Sequence, residues 1–251
     1  MHPTFTRRAL GLLAALGFLT AAQAQSWPNK PLRIVVPYPP GGSSDIIARA
    51  ISQPLSETFK QSVIVENKPG ANGNTGSDMV AKSTDGHTLL LCDVGALAIS
   101  PSVYTKLPFD PSKDLRGVTM LAYSPHLLVV HPSVPVNNLQ ELVQLSRQQA
   151  LNFAVSAIGS APHLAGVAVE KATQAQWNYI PYKGGAQAIG DTVGGQTQIL
   201  MNGMLATLPH VQSGKLKVLG VSKATRVPLL ANVPTLAEQG VKDFESGTWQ
   251  G

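Results

Sequence analysis

Short apolar runs rich in leucine and β-branched residues alternate along the chain with stretches whose apolar residues recur at helical spacing. The runs fall at residues 32–36, 63–65, 89–91, 127–130, 153–155, 179–182, 199–201 and 218–221. Their length and composition suit β-strands. After the first run, Ile47, Ile51, Leu55 and Phe59 recur every fourth residue, which places them on one helix face, with Ser43, Ser44 and Asp45 as capping candidates. A further helix is predicted over residues 138–149, capped by Asn138, with Leu139, Leu142, Val143 and Leu145 on its apolar side. Strands alternating with helices of this length predict mostly parallel α/β sheets, with ligands at the carboxyl ends of the strands.

The pattern also suggests two lobes. A Pro- and Lys-rich interval, residues 104–116, precedes two extended segments at 118–123 and 127–131. A first interdomain crossing is expected near residues 121–125 and a second near 219–223. This gives a discontinuous first lobe, residues 25–122 plus 221–251, and a second lobe, 123–220. The chain stops just after Trp249 without a capping helix, and the C-terminal part of the first lobe is expected to be missing.

Residues 1–24 read as a cleaved secretory signal: Arg7 and Arg8, an apolar run, then Ala22-Gln23-Ala24. Export to the periplasm follows, by the general or the twin-arginine route. No run long enough to span a bilayer recurs, so the mature protein is expected to be soluble and not membrane-embedded. Formal net charge is +5, but two of the 19 basic residues belong to the signal and the others are scattered, which argues against nucleic-acid binding. The single cysteine, Cys92, excludes an internal disulfide and sits in an apolar run as a packed thiol. No His, Cys, Asp or Glu spacing fits a zinc or calcium template, so no metal or cofactor is expected.

Candidate chemistry lies in the connections that follow strands. Tyr38-Pro39-Pro40-Gly41-Gly42-Ser43-Ser44-Asp45 leads a strand through a rigid turn into a helix, whose first amides would favour an anion. The same residues would also serve as a plain capped turn. The loop at residues 69–76 has glycines at intervals unlike a dinucleotide fingerprint and is read as an ordinary loop. Ser160 and His163 open another helix. Their spacing admits a hydrolase, but no nucleophile elbow or orienting acid accompanies them. Tyr182-Lys183-Gly184-Gly185 repeats the strand, glycine pair and helix, and Asn202 follows the strand at 199–201.

Seven segments in order resemble the Bug-type periplasmic receptors of tripartite tricarboxylate transporters. They are residues 38–45, 65–71, 85–90, 106–111, 163–166, 181–185 and 233–238. The resemblance implies a two-lobed α/β periplasmic binding protein of the second class, a Venus flytrap, with no catalysis. It would close on a small organic acid and deliver it, as a monomer, to a membrane permease. The implied pocket comprises Tyr38, Pro40, Gly41, Gly42, Ser43, Asp45, Ser160, His163, Tyr182, Gly184 and Gly185. Gly95 and Ala96 stand where relatives often carry a hydroxyl, and Asn202 where they often carry an acid, which favours a plain organic acid over an amino acid. Two alternatives remain: a ligand-sensing module for a sensor kinase, and a hydrolase built on Ser160 and His163.

Overall fold

The computed structural model describes residues 27–251, so the expected signal segment lies outside the described residues. Strands β1 (Leu32–Val36), β2 (Val63–Asn67) and β3 (Thr88–Leu90) form a parallel sheet in the order β2-β1-β3. Helix α1 (Ser43–Phe59) follows β1, and α2 (Asn74–Ala81) connects β2 to β3. Ile47, Ile51 and Leu55 of α1 pack on Ile34, Val36 and Leu91, as their regular spacing requires. A π-helical turn (Gly95–Ile99) and the short α3 (Ser100–Val103) follow β3.

A second sheet takes β4 (Ala122–Val130), β5 (Asn152–Val155), β6 (Asn178–Pro181), β7 (Ile199–Gly203) and β8 (Lys217–Val221) in the order β6-β5-β7-β4-β8. Between them run α4 (Leu139–Gln148), α5 (Ala161–Thr173), α6 (Gly185–Val193) and α7 (Met204–Gln212). Strand β5 is parallel to β6 and β7, whereas β4 runs antiparallel to β7 and β8. Alternate residues feed separate clusters. Leu128, Val130, Phe153, Ile199 and Met201 face one side, and Leu127, Val129, Ala154 and Leu200 face the other. Burial on both faces is why these strands read as continuous apolar runs.

The long β4 joins the two parts. Its first half, Ala122–Pro125, pairs with β9 (Gly247–Gln250), and its second half enters the larger sheet. Residues 118–121 are not a strand: Val118 and Met120 are exposed, and pairing begins at Ala122.

The return crossing differs from the expectation near residue 221. After β8, Leu236 and Val241 complete one cluster of the larger sheet, while Val227, Leu230 and Val233 pack on the other. Leu236 fills the space over Gly220, where an added Cβ would meet its Cδ2 at 2.6 Å. Thr235 and Glu238 lock this segment through reciprocal bonds of 2.6 and 3.0 Å, the pattern of a capping box. The chain returns through β9, after which Gly251 and Cys92 exchange backbone hydrogen bonds of 2.9 and 3.1 Å. Among the described residues, no helix is long and apolar enough to cross a membrane.

Candidate ligand-binding cleft

The carboxyl ends of β1, β3, β5 and β7 open toward a cleft between the sheets, where helices begin. Gly42 and Ser43 start α1, Ser160 caps α5, Gly185 opens α6 and Gly203 precedes α7, and all line the cleft. The first amides of a helix have no partner within it. At α5 the Ser160 Oγ accepts from the His163 amide at 3.3 Å, and at α7 the Ser124 Oγ accepts from the Leu205 amide at 3.1 Å. The starts of α1 and α6 carry no side-chain cap. One from each part of the molecule, they present amide donors and the positive ends of helix dipoles to the cleft.

Close contacts between the parts leave a cavity of about 50 Å3, enough for a few water molecules. Asn72 Nδ2 reaches across to the Gly159 carbonyl at 3.2 Å. Gly184 lies so close to the first loop that an added Cβ would meet Pro39 Cδ at 2.6 Å. Gly185 is small for another reason, since a Cβ there would sit 2.8 Å from the Asn202 side chain. Asn202 is buried and accepts from Ser156 Oγ at 3.2 Å.

Six of the residues singled out from the sequence line this cleft: Tyr38, Gly42, Ser43, Ser160, Gly185 and Asn202. Others lie beside it. Gly41, in the left-handed region at φ +85°, turns the loop, and its amide donates to Asp45 at 2.9 Å. The buried Asp45 also accepts from Arg49 at 3.0 Å and Asn67 at 2.9 Å. Burial opposes its charge, but these donors outweigh burial and hold the carboxyl below its ordinary pKa. It braces the loop. Pro40 is exposed. Gly95 donates to Asp93 at 2.8 Å, and Ala96 bonds the same carboxylate through its backbone, so both act behind the lining.

His163 and Tyr182 lie outside the lining. The His163 Nδ1 accepts from the Gly159 amide at 3.1 Å, and its ring stands edge-on to Tyr179 at 5.0 Å. Tyr182 packs against the cluster around Ala188 and bonds to Asp191; burial, then that partner, pushes its phenol up to about 12. Ser160 Oγ donates to the Ala157 carbonyl at 2.8 Å, so both its bonds go to backbone rather than to the His163 ring. Lys183 is exposed.

Sequence reasoning missed several lining residues. Asn72, Asp93, Ser156, Thr248 and Gln250 all face the cleft, and they come from connections and from β9. Tyr38 Oη donates to Asp93 at 2.6 Å, and burial with this partner raises its pKa well above the ordinary value. Behind Thr248 lies His126, fully buried, with Nε2 2.8 Å from Thr248 Oγ1 and Nδ1 2.8 Å from Ser246 Oγ. Burial also pushes the Cys92 thiol up to about 12, the mark of a packed, unreactive cysteine.

A sequence profile described as Tripartite tricarboxylate transporter family receptor matches residues 47–251. The chain belongs to this family. Protein BugT of Bordetella pertussis is 36% identical to it, the match covering 99% of this chain and 78% of BugT. An R. palustris protein solved with adipate shares 34% identity and a TM-score of 0.87, covering 90% of this chain and 76% of that one. MatC from Rhodopseudomonas palustris, solved with malate, shares 28% identity and a TM-score of 0.84, covering 90% and 78%. The two-lobed α/β architecture is thus that of the periplasmic binding proteins of this family.

Proposed function

We propose that this chain is a periplasmic receptor that captures a small carboxylate-bearing solute in the cleft and delivers it to the membrane permease of a tripartite transporter. It reaches the periplasm through cleavage of the N-terminal signal and acts as a monomer, without catalysis. The two uncapped helix starts of α1 and α6, facing one cleft, carry this reading. Amides at helix starts hold an anion by charge-assisted hydrogen bonds and need no counter-charge from a side chain. The backbone bonds that occupy Ser160 Oγ argue against a hydrolase, because a nucleophile needs an aligned base.

Calorimetry with a panel of small carboxylates tests the proposal. Gly42 has φ −80° and an added Cβ would lie 3.8 Å from its nearest neighbour, so Gly42→Val fits the backbone while filling the cleft wall. It should remove binding and keep a cooperative melt. Lys183→Ala, at an exposed position outside the lining, should change affinity by no more than about twofold. Loss of binding in Lys183→Ala with retention in Gly42→Val would make a side-chain charge the anchor and overturn the reading.

A further inference from the structure

Among the described residues that line the cleft there is a single charged side chain, and it is an acid. Asp93 follows β3 and lines the cavity, and among the described residues the lining includes no lysine, arginine or histidine. Arg49 is held by Asp45 and Lys183 is exposed outside the lining. His126, behind Thr248, lacks a charged partner and is kept neutral by burial, which pushes it down to about 3.

Every hydrogen bond that Asp93 makes comes from a donor. Tyr38 Oη and the Gly95 amide reach Oδ1 at 2.6 and 2.8 Å, and the Ala96 backbone adds a third. A protonated acid would need an acceptor for its own hydrogen; this surrounding suits the carboxylate. Burial nevertheless raises its pKa, and the donors offset this only in part. An arriving cation would relieve that cost.

A dicarboxylate held at the helix starts would bring its second negative charge into a small cavity with Asp93 and no balancing cation. In low dielectric, such like charges repel strongly. A zwitterion reverses the sign at one end and leaves the filled cleft with its charges paired. We propose that Asp93 selects an ammonium group, so that the ligand is a zwitterionic amino acid rather than a dicarboxylate. The inference rests on the carboxylate-receptor reading and assigns Asp93 a role that Asn202, an amide, cannot fill.

Calorimetry on the full chain tests it with glycine, L-alanine, L-leucine, 4-aminobutyrate and 6-aminohexanoate, against butyrate, hexanoate, succinate and adipate. At least one amino acid should bind, more tightly than the monocarboxylate and the dicarboxylate of matching length. The isosteric Asp93→Asn should weaken that amino acid by about 30-fold or more, the loss expected on truncating one member of a desolvated charge pair, and should improve binding of the dicarboxylate. Asp93→Ser gives the same comparison if the asparagine variant melts early. Tightest binding of succinate or adipate by the unaltered protein would overturn the assignment while leaving the carboxylate reading intact. Equal binding of butyrate and 4-aminobutyrate, or an unchanged amino-acid affinity in both variants, would do the same. Binding of none of the nine compounds would bring down the carboxylate reading and this inference with it.

Discussion

At the scale of single residues, His126 couples the cleft wall to the crossing. Its ring nitrogens meet Thr248 and Ser246, and its amide donates to Ser222 Oγ at 2.7 Å. Ser222 in turn donates to the Ser246 carbonyl. Hydroxyls can satisfy a neutral imidazole in either tautomer, but they cannot compensate an imidazolium in this dry setting. Burial therefore holds the folded pKa at about 3, below the ordinary 6.5. Between these values the unfolded chain binds a proton that the folded chain refuses, so stability falls as pH falls from about 6.5 toward 3. The contribution at pH 4.5 is on the order of 2–3 kcal/mol. Melting midpoints measured from pH 7 to pH 4.5 should drop, and His126→Asn should flatten that slope; an unchanged slope would rule out His126 as its source.

At the scale of elements, each helix start at the cleft is held by a different device. The Tyr38–Gly42 connection depends on Asp45 of α1, which ties the loop amide of Gly41, the α1 side chain Arg49 and Asn67 of β2 to one carboxylate. Asp45→Ala should cost roughly 2 kcal/mol, the scale of hydrogen bonds to a charged group, visible as a lower melting midpoint. Its pKa is depressed in the fold, so this stabilisation is present above the unfolded value of about 3.9 and is lost as pH falls through the folded value. The difference between the two proteins should consequently shrink in strong acid. A gap that widened there would exclude the ionised carboxylate as the brace.

At the scale of the whole molecule, the two parts touch across the cleft through the Asn72 to Gly159 bond and the packing of Gly184 on Pro39. Two chain crossings, at the first half of β4 and at β9, pair with each other, and the two-lobed reading makes them the expected hinge. Solution scattering should give a smaller radius of gyration with bound carboxylate than without. Asn72 occupies the left-handed region at φ 55°, which glycine also adopts freely, so Asn72→Gly removes the cross-cleft bond without straining the backbone. That variant should show a larger ligand-free radius and weaker binding by a few fold. Identical profiles for both proteins, with and without ligand, would indicate a rigid cleft.

The sequence determined the elements and the shape of their connections. Eight strands stand in the apolar runs; β4, β5 and β7 are apolar at successive positions because both their faces are covered, whereas β2 and β6 keep exposed positions such as Ile64, and α1 follows from its four-residue spacing. Proline and glycine marked the turns after β1 and β6, Gly41 because it takes φ +85° and Gly184 and Gly185 because Pro39 and Asn202 leave no room for a Cβ. What lines the cleft was legible only where a residue sits in such a turn, as with Gly42, Ser43 and Gly185. Only the tertiary structure decided the rest. Strand β9 is four residues long with no apolar run, and it becomes a strand by pairing with β4. The return crossing moved because Leu236 and Val241 find their burial over the larger sheet. Asp93, Thr248 and Gln250 look unremarkable along the chain, and Tyr182 looks like a pocket residue. Side-chain direction is set by pairing and packing between distant segments, and local sequence spacing carries no record of it.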